Sequence, residues 1–395
     1  MNRALPWLIL AALTLARAIM ALQFQSVAAL APEIAEATGM GFVAIGTLSG
    51  AYFLPGVGAA LLGGWAGQRF GDVRVALGGL ALMTLGGLAG AALLGFETQL
   101  AARLVAGVGA VAVNVMLNKM VGDWFQGRPD LPVAMSLLVA SWPAGLAIAT
   151  LGLPLLAGVI SLSALSYLIA GLCLAAFLLV FFTWRPAPGV PTVPTARARM
   201  TGLEWRLIFL SGAIWGVYNL GFIGALSWTP PHLVEMGFDA LDAAATASLM
   251  GWIAILSVAS GGWLARALPR PDLLALGAFL LSAATLALLA TGRDDLPVEA
   301  LMLVLGCALG PAAGLVMTLP ITATRTETRA AGLGVYWAIY YALMSVGPVM
   351  FGAVRDSWGL ASAPLWLAAL MMLLCLPLWG VFRFAQAKTP IPQPG

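Results

Sequence analysis

Charge is what this chain has least of. Only 9% of its 395 residues are Asp, Glu, Lys or Arg, against about a quarter in soluble proteins, while 61% are hydrophobic and mean hydropathy is +0.97. No gap between its apolar runs is long enough for a water-soluble domain, and the one sizeable hydrophilic stretch runs from Arg185 to Gly202. A receptor or scaffold built on a soluble domain therefore loses its support. Histidine occurs once, at His232, and cysteine three times, at Cys173, Cys307 and Cys375, each inside an apolar run and without CxxC spacing. Neither a disulfide framework nor a metal site is expected. With no phosphate-cradling loop either, an enzyme lacks a nucleophile, metal or general-base constellation, and no cofactor is expected.

Carboxylates are also missing from the interior of every apolar run, since Glu33, Glu204, Asp242 and Glu299 all fall near run ends. Carriers of organic cations usually need a buried carboxylate for substrate or proton, so this absence weighs against them. The net charge of +3 follows from where the basic residues sit relative to a membrane, and no nucleic-acid partner is expected.

What the chain does have is twelve apolar runs, at 5–31, 42–67, 75–96, 100–121, 133–157, 162–184, 205–229, 243–265, 272–291, 298–322, 332–354 and 360–382. Crossing a bilayer core takes about 20 helical residues. Lipid offers the backbone no hydrogen-bond partners, so such spans must be helices, and barrel-type alternation is absent. The fold class expected is all-α integral membrane. With the N-terminus inside, the inner segments collect Arg3, Arg69, Arg74, Lys119, Arg128, Arg185, Arg197, Arg199, Arg206, Arg266, Arg270, Arg325, Arg329, Arg383 and Lys388. Arg103, Arg293 and Arg355 stay outside, and Arg17 falls mid-span. A wrong span count would scramble this segregation, so twelve helices with both termini cytoplasmic are expected. Arg3 followed by an apolar stretch also has the form of a cleaved signal peptide, but the first run has a counterpart later in the chain.

That counterpart belongs to an internal repeat. Gly63-Gly64-Trp65 reappears as Gly261-Gly262-Trp263, an offset of 198 that also superposes Gly39 on Gly237 and Pro32 on Pro230. Two six-helix halves follow, at 1–184 and 204–395, joined by a proline-rich, basic cytoplasmic linker at 185–203.

Twelve spans as six plus six around a basic central loop resemble the major facilitator superfamily over nearly the whole chain. Its loop motif between helices 2 and 3 runs glycine, three residues, an acid, a basic residue, any residue, glycine, then basic residues; here Gly64, Arg69, Gly71 and Arg74 match. Gln68 stands where the acid belongs. In the family this loop latches the cytoplasmic side, so the resemblance implies a gating segment in which Asp72 substitutes for the missing acid. RLVAGVGA, from Arg103 to Ala110, resembles the helix 4 signature, whereas SWPAG, from Ser141 to Gly145, matches the antiporter signature of helix 5 only loosely. The helix 1 arginine, the Trp-Pro start of helix 5 and KMVGDWF from Lys119 are similar to the cyanate and nitroimidazole permease-like branch. The resemblance implies a monomeric permease of the plasma membrane, in a bacterium the inner membrane, with a small-molecule substrate and a coupling proton or counter-anion.

Arg17 is the residue that demands a purpose, because insertion scales put an arginine at mid-bilayer at about +2.5 to +3.5 kcal/mol. Met20, Ala21, Phe24 and, more laterally, Gln25 share its helical face, while Gln23 points elsewhere. Arg103, Gly107, Ala110, Asn114 and Asn118 form one stripe, which suits a polar cavity wall and equally suits close helix packing. Lys119 lies off it, as an interfacial anchor. Ser211, Trp215, Tyr218, Asn219 and Phe222 share a broad face, with Trp215 at the repeat position of Arg17. A guanidinium opposite aromatic and amide groups suits a small planar anion, although the same rings also fill helix contacts. Tyr336 with Tyr340, and Trp337 with Tyr341, are two neighbouring pairs of which one is expected on the pathway. Gly306, Gly310 and Gly314 are spaced for helix packing. Pro143, Pro311, Pro320 and Pro348 are expected to bend their spans. His232, after Pro230-Pro231, is expected in a loop.

The reading that follows is a secondary transporter that alternates access to a midplane site and moves a small anion on Arg17. The alternative is a broad-specificity exporter of neutral or amphiphilic compounds.

Overall fold

The computed structural model describes residues 5–92, 95–187, 199–267, 270–293, 295, 297–325 and 327–388, and the chain divides into two compact units, Met1–Pro191 and Thr192–Gly395. All regular structure among the described residues is helical. Unit 1 holds α1 (Leu5–Ala29), α2 (Ala31–Thr38), α3 (Phe42–Ala51), α4 (Gly56–Phe70), α5 (Asp72–Ala92), α6 (Phe96–Phe125), α7 (Leu131–Ala157) and α8 (Leu162–Thr183). Unit 2 holds α9 (Gly202–Glu235), α10 (Ala240–Ala267), α11 (Pro271–Ala290), α12 (Val298–Val316), α13 (Leu319–Thr322), α14 (Arg329–Trp358) and α15 (Ser362–Lys388). Twelve stretches among the described residues are long and apolar enough to span a membrane.

Among the described residues, fifteen helices arise from twelve apolar runs because proline and glycine punctuate three of them. The first run breaks at Leu30, just before Pro32, and α2 ends where Gly39 takes φ 70° and its N–H bonds Ala35 O. In the second run, the N–H groups of Phe53 and Leu54 both turn back to Gly50 O ahead of Pro55, which has no N–H to continue the ladder. In the tenth, Pro320 lies in the first turn of the short α13 rather than bending a continuous span. Pro143, Pro311 and Pro348 do lie inside helices.

One expectation is corrected. Pro230 and Pro231 sit inside α9, which continues to Glu235. Proline's fixed φ is already helical, so the helix can pass through, at the cost of two missing N–H bonds and of the crowding of each ring against the carbonyl four residues back. His232 is therefore a buried helix residue and not part of a loop, its Nε2 lying 2.9 Å from Leu289 O at the end of α11.

Small residues set the closest helix approaches. A Cβ at Gly145 of α7 would fall 2.1 Å from Ala18 O of α1. In unit 2, a Cβ at Gly306 or Gly310 of α12 would fall 2.7 Å from Met250 O or 2.1 Å from the Ser257 carbonyl carbon of α10. Gly39 and Gly237, one repeat offset apart, take φ 70° and 96°, the left-handed region that favours glycine. Of the expected linker, residues 188–198 lie outside the described residues. α9 begins behind a capping box in which Thr201 Oγ accepts from Glu204 N–H and the Glu204 carboxylate accepts from Thr201 N–H.

Candidate functional site

The α1–α7 contact positions Arg17. Its side chain is 6% exposed, and Nη1 donates 2.7 Å to Leu138 O of α7, a carbonyl that also accepts from Ser141 Oγ at 2.6 Å. Five residues beyond Leu138, Pro143 interrupts the α7 ladder. Gly145 removes the side chain that would hold α1 away. The close approach that Gly145 allows is thus what brings α7 against α1; the carbonyl that loses its donor at Pro143 is that of Val139, next to Leu138.

Two turns along the same face of α1, Phe24 joins an aromatic cluster. Its ring centroid lies 4.6 Å from that of Phe53 and 5.8 Å from that of Trp142. Gln25 is fully buried and donates a long 3.4 Å bond to Thr150 Oγ1 of α7. Gln23 faces away, donating 2.9 Å to Met83 O of α5 and accepting from Tyr52 Oη at 3.1 Å. On α6, Asn114 is buried and Asn118 bonds back to Asn114 O at 2.6 Å. Higher on the stripe, Gly107 serves packing, since a Cβ there would lie 2.3 Å from Tyr52 O.

In unit 2 the corresponding face of α9 is aromatic. Trp215 stacks on Tyr218 with centroids 5.5 Å apart and approaches Tyr340 of α14 at 6.2 Å. Tyr340 continues to Trp337 at 5.4 Å and to Tyr341 at 5.2 Å, so the two expected pairs on α14 merge into one cluster, with Tyr340 as the ring that approaches Trp215 of α9 and the Tyr336 backbone lying against Gly212. Tyr218 is 3% exposed and its hydroxyl donates 2.8 Å to Leu309 O of α12. Asn219 is committed to Trp215 O at 2.7 Å. The buried Trp215 indole N–H meets no acceptor among the described residues.

The loop after α4 is built on Gly71, whose φ of 90° suits glycine alone among common residues. Arg69 and Arg74 are exposed. Asp72 opens α5 and pairs with Lys119 of α6, which also reaches Asp123 at 3.2 Å. Lys119 is therefore held by two carboxylates within unit 1, and Asp72 supplies an acid in this segment. Gly64 and Gln68 belong to α4, but the Gln68 side chain and the surroundings of Gly64 lie outside the described residues.

Sequence reasoning missed three features. The cluster of Phe53 and Trp142 with Phe24 was signalled only by Tyr52-Phe53 standing just before Pro55. The bonds from Arg103 to Gln23 and Ser26 of α1 join helices far apart in sequence. Glu204, 1% exposed, is a hub at the start of α9. It accepts from Arg325 N–H at 3.0 Å, from the Arg325 guanidinium at 3.0 and 3.2 Å, and from Thr328 Oγ1.

Comparison with known proteins agrees with this architecture. The chain is 29% identical over 240 residues to the 3-(3-hydroxy-phenyl)propionate transporter of Escherichia coli (strain K12), with 56% of each chain covered. It is 26% identical over 252 residues to the cyanate transport protein CynX of the same organism, with 62% of each covered, and 23% identical to the hexuronate transporter of Bacillus subtilis (strain 168), covering 51% of this chain and 50% of that one. The matches thus span between half and two thirds of these relatives. Among solved structures, the crystal structure of the D-xylose-proton symporter superposes with a TM-score of 0.75 at 15% identity, covering 94% of this chain and 97% of that one. A bacterial homolog of the human lysosomal transporter Spinster superposes at 0.74, also at 15% identity, covering 99% and 100%. These two show the fold. The family model for the Major Facilitator Superfamily matches residues 13–348, most of the described helices, and the chain belongs to that superfamily.

Proposed function

We propose that the protein is a secondary transporter that moves a small anionic solute by alternating access, with Arg17 as its charge ligand. The observation that carries this reading is a guanidinium buried at mid-span and oriented by Leu138 O. Arginine does not shed its proton in proteins, so the charge persists through any transport cycle. An anion offsets its cost and gains a planar, bidentate partner. The three relatives add support, because the propionate, cyanate and hexuronate for which they are named are all anions.

In unit 1, Gln25, Asn114 and Asn118 are the proposed polar companions of Arg17. In unit 2, the Trp215 indole N–H is the proposed donor to a solute oxygen, with Tyr340 and the Tyr218 ring as apolar surface and Asn219 fixing the turn beneath. Gly64, Gln68, Arg69, Gly71, Asp72 and Arg74 form the proposed gating segment. A symported proton would ride on the solute or on an acid at a helix end such as Glu33.

The aromatic cluster around Trp215 gives a specific footing to a second reading, export of neutral amphiphiles. Uptake of labelled cyanate and small carboxylates into proteoliposomes, set against efflux of hydrophobic dyes, separates the two. Saturable anion uptake is expected. Dye movement without anion uptake would put the exporter first.

A further inference from the structure

Unit 1 contains two adjoining cavities, of about 80 and about 50 Å³, that share Ser26, Gln99, Arg103 and Ser166. They open among α1, α5, α6 and α8, with Ile34 and Thr38 of α2 along one side of the larger. Arg17 lines neither. Arg103 reaches this space from α6. Its Nη1 donates 2.7 Å to Gln23 O and its Nη2 2.8 Å to Ser26 Oγ, and its guanidinium carbon lies 5.9 Å from the Tyr52 ring centroid.

Those bonds occupy two of the five guanidinium N–H donors, and both acceptors are neutral. Among the described residues no carboxylate approaches Arg103 within the 4.0 Å of an ion pair, and the acids of α2, Glu33 and Glu36, do not line the cavity. Dipoles and a ring soften the cost of such a cation but supply no countercharge. Beside it, Ser163 and Ser166 bring hydroxyls that can donate, while Leu30 and Ile169 supply apolar wall. One water needs only about 10–15 Å³ of such space, so the larger cavity takes a polyatomic ion.

We propose that this cavity is a second anion site, in which Arg103, with the hydroxyls of Ser163 and Ser166, binds a monovalent anion of the size of a halide, nitrate or formate, independently of Arg17. Occupancy would tie α1, α6 and α8 together and stabilise unit 1 by mass action.

The test is a titration of the purified full-length protein with sodium bromide, nitrate or formate, exchanged against gluconate at constant ionic strength, reading the unfolding temperature by tryptophan fluorescence. A saturable rise is expected. Arg103→Gln and the cavity-filling Ser166→Leu should each raise the half-saturating concentration at least tenfold, whereas Ser357→Ala, at an exposed helix-end hydroxyl of unit 2, should change it less than twofold. If Arg103→Gln does not fold, Ser166→Leu decides alone. An unsaturating response in the parent protein or an unchanged half-saturation in Ser166→Leu would overturn the proposal, leaving a water-filled cavity or binding at Arg17 instead.

Discussion

At the scale of single residues, the proposal about Arg17 turns on geometry as well as charge. Lysine keeps the charge but loses the fork, whereas methionine loses both. Arg17→Lys should weaken anion binding less than Arg17→Met, for which a loss of about 2 to 5 kcal/mol, roughly 30-fold to 5,000-fold in Kd, is expected. Isothermal titration at matched expression and folding checks the order. Full binding by Arg17→Met would make the arginine structural. Glu33, on α2 outside the long spans, carries a pH signature. Burial pushes its carboxyl above the ordinary 4.5, and like charge from Glu36 adds to this, against a lowering backbone hydrogen bond. Folding therefore favours protonated Glu33, and the stability it contributes at low pH is lost as pH rises through the raised value. Glu33→Gln should raise the unfolding temperature at pH 7 relative to the parent, and the difference should shrink as pH falls toward 4.5. A gap that widened on acidification would reverse the sign.

At the scale of elements, spans were readable in the sequence and their interruptions only partly so. Apolar length and charge segregation are one-dimensional signals and survive any tertiary arrangement. Whether a proline ends a helix depends on its neighbours, so Pro55 precedes a restart while Pro230 and Pro231 are carried through α9. Arg17 was legible because a lone cation in an apolar run stands out. Its partner Leu138 O was not, because any backbone carbonyl looks alike in sequence. Gly145 shows what the element adds. Gly145→Ala would push a methyl against Ala18 O, costing about 1–3 kcal/mol, and should weaken anion binding along with stability because it displaces the Leu138 acceptor. Binding unchanged at lowered stability would confine Gly145 to packing. For the α9 start, Thr201→Ala should cost about 1 kcal/mol as a lost cap. Glu204→Ala should cost more, since it also strands the Arg325 N–H and breaks the Arg325 ion pair. Thermal unfolding of both variants checks that ranking.

At the scale of the whole molecule, the orientation expected from the basic residues can be tested from either face of a membrane. With the exposed Cys307 and the two buried cysteines replaced, Thr195→Cys should react with an impermeant maleimide only from the cytoplasmic face and Asp239→Cys only from the outer face. Labelling of position 195 from outside would overthrow the twelve-span orientation. At two positions, the repeat expected from the sequence pairs charge with no charge. Arg17 and Arg103 both stand within spans of unit 1, and at the repeat offset of 198 their counterparts are the neutral Trp215 and Leu301. Membrane voltage does work on charge, at about 2.3 kcal/mol per elementary charge carried through 100 mV. A potential across the bilayer therefore does work on these two positions in unit 1 whenever they move through it, and on no charge at the matching positions in unit 2.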